Sequence, residues 1–426
     1  MSQDRHALRL TPFRATRYAP DLDLSRVICP PYDVIDDRAL ERFEAADAHN
    51  IVHVTLPRAD PAADQPHGSV SRDDRYRLAA ARLQRWVADG VLRTDPGPAL
   101  YVYEHRTGAH TAIGLVGGVG IHGPVLPHEH TFPGPVADRS ALMRATNTQL
   151  EPILLTYDGD GAASDVVDSV ARQAPDQEVR TDTGTCHRIW RITDQPSLTA
   201  VASDLAGRSA LIVDGHHRFA AYHSVHDAAA VPGVTDRGLA LLVDAARHPL
   251  ELRGVHRSIT GLGLDDAVGP TNELFEATTI DTTADLPSVL AAETRTAFLV
   301  SDGTRHTLLR AARGAVPASA FPAGRHPAWQ RTDAAVLTDV LLDRLWNLTD
   351  ADDRVGYHHD PGDAIVAARR SAGVAILVRP PALTDVLALA AAGVRMPRKS
   401  TSFGPKPWTG LLMRHLDTPH DVTGGG

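Results

Sequence analysis

At 426 residues the chain is long enough for a large core and two or three packed subdomains, and 43% hydrophobic with 22% charged residues is ordinary for a globular protein in water. A formal charge of -9 argues against a sequence-independent grip on nucleic acid, which needs a basic face. No apolar run approaches a membrane span, the first residues lack a signal peptide's apolar core, and Cys29 and Cys186 fit neither a zinc spacing nor a disulfide framework; a cytoplasmic setting without membrane or nucleic-acid partners is expected.

Taken in order, Val27-Ile28-Cys29-Pro30-Pro31-Tyr32-Asp33 places an aromatic and an acid on a stiff loop, because adjacent prolines hold the chain extended. Asp33 there is suited equally to an Asx turn. Asp36 is predicted to cap a helix through Ala46, and the β-branched run Asn50–Leu56 predicts a strand. Pro57 to Ser71 reads as a polar surface loop. Arg72 to Ala88 reads as an amphipathic helix ending at Gly90.

Strands are predicted at Ala99–His105 and Ala112–Ile121, with Gly117-Gly118 marking a bulge or a close approach. The loop Leu126 to Pro135 carries His128, Glu129 and His130 between prolines, and Asp138 is expected to cap the helix bearing Leu142 and Met143. Pro152–Tyr157 reads as a buried strand, and Asp158 to Leu205 as alternating helix and strand.

The most informative stretch is Ser209 to His223. Ala210-Leu211-Ile212-Val213 reads as a buried strand, and an Ala-rich helix follows from Arg218. Asp214-Gly215 lies at the junction, where glycine permits a sharp turn, and His216, His217 and Arg218 crowd the helix start. Helix-start amides attract anions, so the cluster reads as a phosphate or substrate site. Gly238–Val243 returns as a strand, and Gly254–Ser258 ends the unit.

In the last third, Ala297–Val300 and Val374–Val378 are predicted strands; Asp333–Leu345 and Ala382–Ala392 are predicted helices. A polar, proline-bracketed run from Met396 to Trp408 then precedes a final strand at Gly410–Met413 and a frayed tail from Asp421. That run holds Lys399 and Lys406, the only lysines among 43 basic residues. In an arginine-dominated chain, two lysines in one segment point to compact cationic contacts with phosphate.

Together, Pro30–Val34, Asn50–Val54, Pro127–Thr131, Asp138-Arg139, Asp214–Arg218, His256-Arg257 and Met396–Thr401 with Phe403, Pro405 and Lys406 resemble a bacterial and archaeal family known as domain of unknown function 1015. Arg398 stands where family members often have glutamine, and Ser402-Phe403-Gly404 where a more aromatic stretch is common. The Asp-Gly-His-His-Arg element also resembles the nucleotide-binding element of ParB/sulfiredoxin-like free-serine kinases, in which such a run holds nucleotide phosphates and an upstream glutamate serves as base.

The resemblance implies an α/β (α+β) fold with a mixed central sheet. A ParB/sulfiredoxin-like core at 96–260 would lie between α/β segments at 1–95 and 261–426. Phosphoryl transfer needs phosphate-binding donors, a bridging metal and a carboxylate base. On this reading Glu129, Asp214 and Lys399 are catalytic, and Asp214 holds Mg2+. Gly215, His216, His217, Arg218, Ser400, Thr401 and Lys406 bind ATP or ADP. Tyr32, Asp33, His128, His130, Arg139, His256 and Arg257 face the small-molecule substrate, serine or a serine-like amino acid being the first choice. A homo-oligomer is allowed. Two rivals stand beside the kinase: a metal-dependent hydrolase using His128, His130, His216 and His217, and a non-catalytic nucleotide-binding regulatory module.

Overall fold

The computed structural model describes residues 7–58, 72–229, 233–281, 283–349, 352–396 and 399–416. Most of the expected loop at Pro57–Ser71, Pro397-Arg398 and the tail lie outside the described residues. The chain divides into two compact units: Met1–Leu126, Thr131–Glu251 and Gly404–Gly426 form the first, and Pro127–His130 with Leu252–Phe403 the second.

The first unit is built on a nine-stranded mixed sheet. Its spatial order is Val125–Leu126, Ala210–Asp214, Ile153–Tyr157, Arg237–Asp244, His110–Gly120, Leu100–Thr107, Cys186–Ile192 and Gln177–Arg180, and Leu10–Thr11 also pairs with His110–Gly120. Ile153–Tyr157 runs parallel to Arg237–Asp244 and antiparallel to Ala210–Asp214. Its apolar residues, among them Ile153, Leu155, Ile212 and Leu242, join one core with Phe219 and Tyr222 of the helix His216–Asp227. Gly117 is a close approach: a β-carbon there would lie 2.7 Å from both Leu10 and Leu100 side chains. A small sheet orders Leu92–Thr94, Ala15–Tyr18, Met413–His415 and Thr148–Gln149.

The second unit carries an antiparallel six-stranded sheet in the order Phe275–Ile280, His306–Ala311, Ala297–Ser301, Val374–Leu377, His256–Ile259, Val355–His358. Leu299, Leu308 and Leu377 pack with Ala364 and Ala368 of the helix Pro361–Arg370. The expected helix from Asp333 begins with an α turn and continues as wide π-type turns over Val336–Leu345. Inside it the buried Asp339 accepts hydrogen bonds from Trp329 Nε1 at 2.8 Å and Arg325 Nη2 at 2.7 Å.

Several local expectations are corrected. Asn50–Leu56 is not a strand; Val52–Thr55 is a helical turn. The Asn50 side chain accepts from the Val52 N–H and donates to the Arg26 carbonyl, which starts a turn where β-branched content favours extension. Full burial of Ile51, Val52 and Val54 then decides the matter. Asp138 is not a cap. The helix Pro133–Thr146 begins five residues earlier, with proline at its first position, and Asp138 instead accepts from Tyr76 and Arg139. The central helix starts at His216 rather than Arg218, the last strand is Met413–His415, and His256–Ile259 opens the second sheet.

Candidate functional site

Asp214 is placed by an irregularity. Along the Ala210–Asp214 strand the pairing with Ile153–Tyr157 slips between Ile212 and Asp214, and such a bulge re-aims the side chain that follows. Gly215 then turns the chain with φ +91°, and the helix begins at once. A β-carbon at Gly215 would meet Ile153 Cγ2 at 2.7 Å, so both backbone and space require glycine. The acid at the strand end therefore sits against the first turn of a twelve-residue helix whose cap residue supplies no side chain.

Four further charged groups converge on it. Arg218, one turn along the helix, returns Nη2 to Asp214 Oδ2 at 2.5 Å, donates Nη1 to the Pro152 carbonyl at 2.6 Å, and holds Nε 3.6 Å from Glu151 Oε1. Lys406 Nζ lies 2.5 Å from Asp214 Oδ1 and 2.9 Å from Asp33 Oδ2. Glu151 Oε2 in turn accepts from Thr409 Oγ1 at 2.5 Å. Burial by itself would depress the Arg218 and Lys406 pKa values. The carboxylates outweigh it, Glu151 and Asp214 chiefly for Arg218 and Asp214 with Asp33 for Lys406, and both cations are held above their ordinary values. Ionised, the three carboxylates exceed the two cations by one charge.

Around this quintet, Tyr32 sits on a 3-10 turn after the two prolines, with the Arg139 guanidinium 4.2 Å from its ring centre. Burial pushes the Tyr32 phenol up to about 12. Arg139 also donates to the Thr55 carbonyl at 2.9 Å. His216 is buried at the first helical position; His217 Nε2 accepts the Phe132 N–H at 3.0 Å and stacks on that ring.

The segment bearing Lys406 rests on buried rings. His105 Nδ1 donates to the Lys406 carbonyl at 2.8 Å. His187 lies 4.6 Å from His105 and 4.7 Å from Trp408, ring centre to ring centre. Tyr103 hydroxyl meets His187 Nδ1 at 2.9 Å and accepts the Trp408 N–H at 3.3 Å. Burial pulls the His105 pKa down to about 4 and that of His187 to about 2, so both are neutral imidazoles. None of these supports, nor Glu151 or Thr409, stood out in the sequence. Only the oddity of lysine marked the segment.

The remaining candidates belong to the second unit. Glu129 bridges to Met396, and Arg395 donates to the Glu129 carbonyl at 2.9 Å. The Thr401 hydroxyl donates to Glu129 Oε1 at 3.0 Å and lies 2.9 Å from Nε2 of the fully buried His128. A hydroxyl has one proton, so His128 is the donor to Thr401 and carries its proton on Nε2. His130 and Lys399 are exposed, Lys399 with φ +55°, while Ser400 is buried. His256 Nδ1 accepts the Val378 N–H at 3.2 Å, and burial draws its pKa down to about 4. Arg257, 2% exposed, donates to the Val255 carbonyl at 2.7 Å and lies 4.3 Å from the Tyr357 ring centre. Among the described residues no group of three or more His, Cys, Asp or Glu side chains is arranged to hold a metal ion.

No curated protein matches the chain. Among solved structures, a free serine kinase in complex with AMP is 14% identical, with 67% of this chain and 87% of that one covered at a TM-score of 0.34. A variant of that kinase in complex with ADP gives 12%, 67%, 87% and 0.36. SbnI with a C-terminal truncation, from Staphylococcus aureus, gives 11%, 68%, 82% and 0.36. The model of a family described as a protein of unknown function, DUF1015, matches residues 10–335, three quarters of the chain, and to that family the chain belongs.

Proposed function

We propose that the protein is a nucleotide-dependent kinase acting on the hydroxyl of a small metabolite, with serine or a serine-like amino acid as the first substrate to try. The observation that carries the reading is the cluster at the Asp214 turn: a helix start, a glycine in a left-handed turn, and two cations held by three carboxylates. Lys406 and Arg218 supply the charge that phosphates need, already fixed in place.

Asp214 and Asp33 are oxygen donors of the kind a hard divalent cation takes, with Lys406 now between them. Asp214 and Asp33 would hold Mg2+, which supplies charge neutralisation to nucleotide phosphates when bound. The chain's own residues do the rest. Arg218 and Lys406 bind phosphate oxygens. In transfer the substrate oxygen bonds to the terminal phosphorus as its proton passes to a carboxylate base and the bond to the nucleotide oxygen breaks; Glu129 is the candidate base read from the sequence, and its carboxylate is fixed by Thr401 and through it by His128.

The test is product formation: purified chain, Mg2+, ATP or ADP, and a panel of serine, homoserine and threonine, read by phosphorus NMR. A new phosphomonoester that depends on both nucleotide and hydroxyl substrate is expected. Nucleotide binding without product would replace the kinase by a regulatory module, and nucleotide-independent hydrolysis would replace it by a hydrolase.

A further inference from the structure

The second unit contains a cavity of about 480 Å³ that no residue of the Asp214 cluster lines. It lies on the face of the six-stranded sheet that carries the helices Leu286–Ala291 and Pro361–Arg370, where Leu290, Ala364 and Leu377 share one core. Leu290 and Leu377 form its buried floor, Val378 and Pro361 its half-buried walls, and Ala291 and Pro380 stand exposed at its rim. Successive side chains of a strand face opposite sides of a sheet. Arg257 turns to the Tyr357 ring, and its neighbour His256 turns to this cavity.

His256 is the polar group that decides what fits. Its Nδ1 accepts the Val378 N–H at 3.2 Å, so the neutral ring carries its proton on Nε2. Among the described residues nothing accepts from that second nitrogen. The residue is 9% exposed, and burial holds the ring neutral against the pull of Asp360. A buried donor without an acceptor is costly, so a ligand that brings an acceptor to it is stabilised. Two charged groups in the wall are engaged elsewhere. Arg379 donates to Asp333 at 3.0 and 2.6 Å and to the Glu293 carbonyl at 2.5 Å, while Asp360 accepts the helix-start N–H groups of Gly362 and Asp363 at 2.7 and 3.1 Å. Arg253 and His359 are exposed at the mouth, where water screens them. A charge on the ligand's buried end would therefore lose its hydration without gaining a counter-charge. The volume falls within the roughly 300–1,000 Å³ of small-molecule sites, which pair apolar walls with few polar groups.

We propose that this cavity binds a small, neutral, largely apolar molecule whose one carbonyl or hydroxyl oxygen accepts the Nε2–H of His256. The proposal does not rest on the kinase reading, and it asks of His256 a contact with an apolar ligand rather than with a zwitterion. Ligand-detected NMR titration of the full chain without nucleotide would compare 2-acetylnaphthalene with 2-ethylnaphthalene, 2-naphthoate, 2-naphthylmethylamine and L-serine. The ketone should bind about fivefold tighter than the hydrocarbon, the increment of one hydrogen bond, and tighter than either charged analogue. His256→Phe keeps a ring of similar size and removes the donor, so ketone and hydrocarbon should then bind alike. Ala291→Trp fills the cavity from its exposed rim and spares the core, so it should abolish binding of both. The proposal is overturned if no naphthalene binds saturably, if ketone and hydrocarbon bind equally to the parent, or if Ala291→Trp binds as the parent does. It is overturned equally if L-serine binds and the ketone does not, which would return His256 to an amino-acid substrate. Ketone binding in a chain that forms no phosphomonoester keeps this site and removes the kinase.

Discussion

The single Lys406 ammonium is shared by two carboxylates, Asp214 and Asp33. Its side chain is 20% exposed and its partners are 9% and 31% exposed, so the pair is only partly screened by water. Lys406→Met would leave Asp33 and Asp214 facing each other across the gap. A loss of about 2–4 kcal/mol in urea unfolding is expected, toward the lower end of what breaking a buried pair costs because solvent reaches the site. Product formation should fall at least a hundredfold. Adding Asp33→Asn to that variant should restore part of the stability and none of the turnover. Gly215→Ala tests the turn itself. The left-handed backbone costs an L-residue about 1–2 kcal/mol, and the clash with Ile153 adds to it. A melting point unchanged in that variant would mean the turn is not strained as described.

The element that presents Lys406 is stabilised by groups that must stay uncharged. His105 has a folded pKa near 4 against 6.5 for the free side chain, with burial the first cause. Above pH 6.5 it is neutral in both states and contributes no pH dependence. Between 6.5 and about 4 the unfolded chain takes up the proton and the folded one does not, so stability falls as pH falls, by about 1.4 kcal/mol per unit for this group. His105→Asn should flatten that slope by about one proton in pH-dependent unfolding, and an unaltered slope would remove His105 from the account. The elements themselves were unevenly legible. The Asp214 strand and its helix could be read because a short apolar run, a glycine and an Ala-rich stretch each obey local rules. Asn50–Leu56 misled because its β-branched side chains satisfy burial equally well in a helical turn, and Asn50 decides between them through a hydrogen bond to Arg26, twenty-four residues away. Asp138 misled for the opposite reason: a good cap residue was drawn into a partnership with Tyr76, sixty-two residues off. Supports such as His105 and His187 were invisible, since only the folded sheet brings them under the Lys406 segment.

At the scale of the whole molecule, charge sets the terms on which the proposed nucleotide would bind. The chain carries a formal -9, and the Asp214 cluster repeats that sign locally with three carboxylates against two cations. Lysine was the sequence signal here: arginine carries nearly all the basic charge, and one of the two exceptions sits between Asp33 and Asp214. On the proposed reading, a nucleotide polyphosphate arriving alone would meet carboxylates already holding both cations, and would compete with them for Lys406 and Arg218. A divalent cation reverses the balance, turning one excess negative charge into one excess positive charge. Nucleotide and Mg2+ should therefore bind together. ADP or ATP with Mg2+ should raise the melting temperature by several degrees, an increment of RT ln(1 + [L]/Kd) that grows with nucleotide concentration. The same nucleotide in excess EDTA should give no shift, and Mg2+ alone a small one. Equal shifts with and without EDTA would mean that the carboxylates are spectators and that Arg218 and Lys406 alone hold the phosphates.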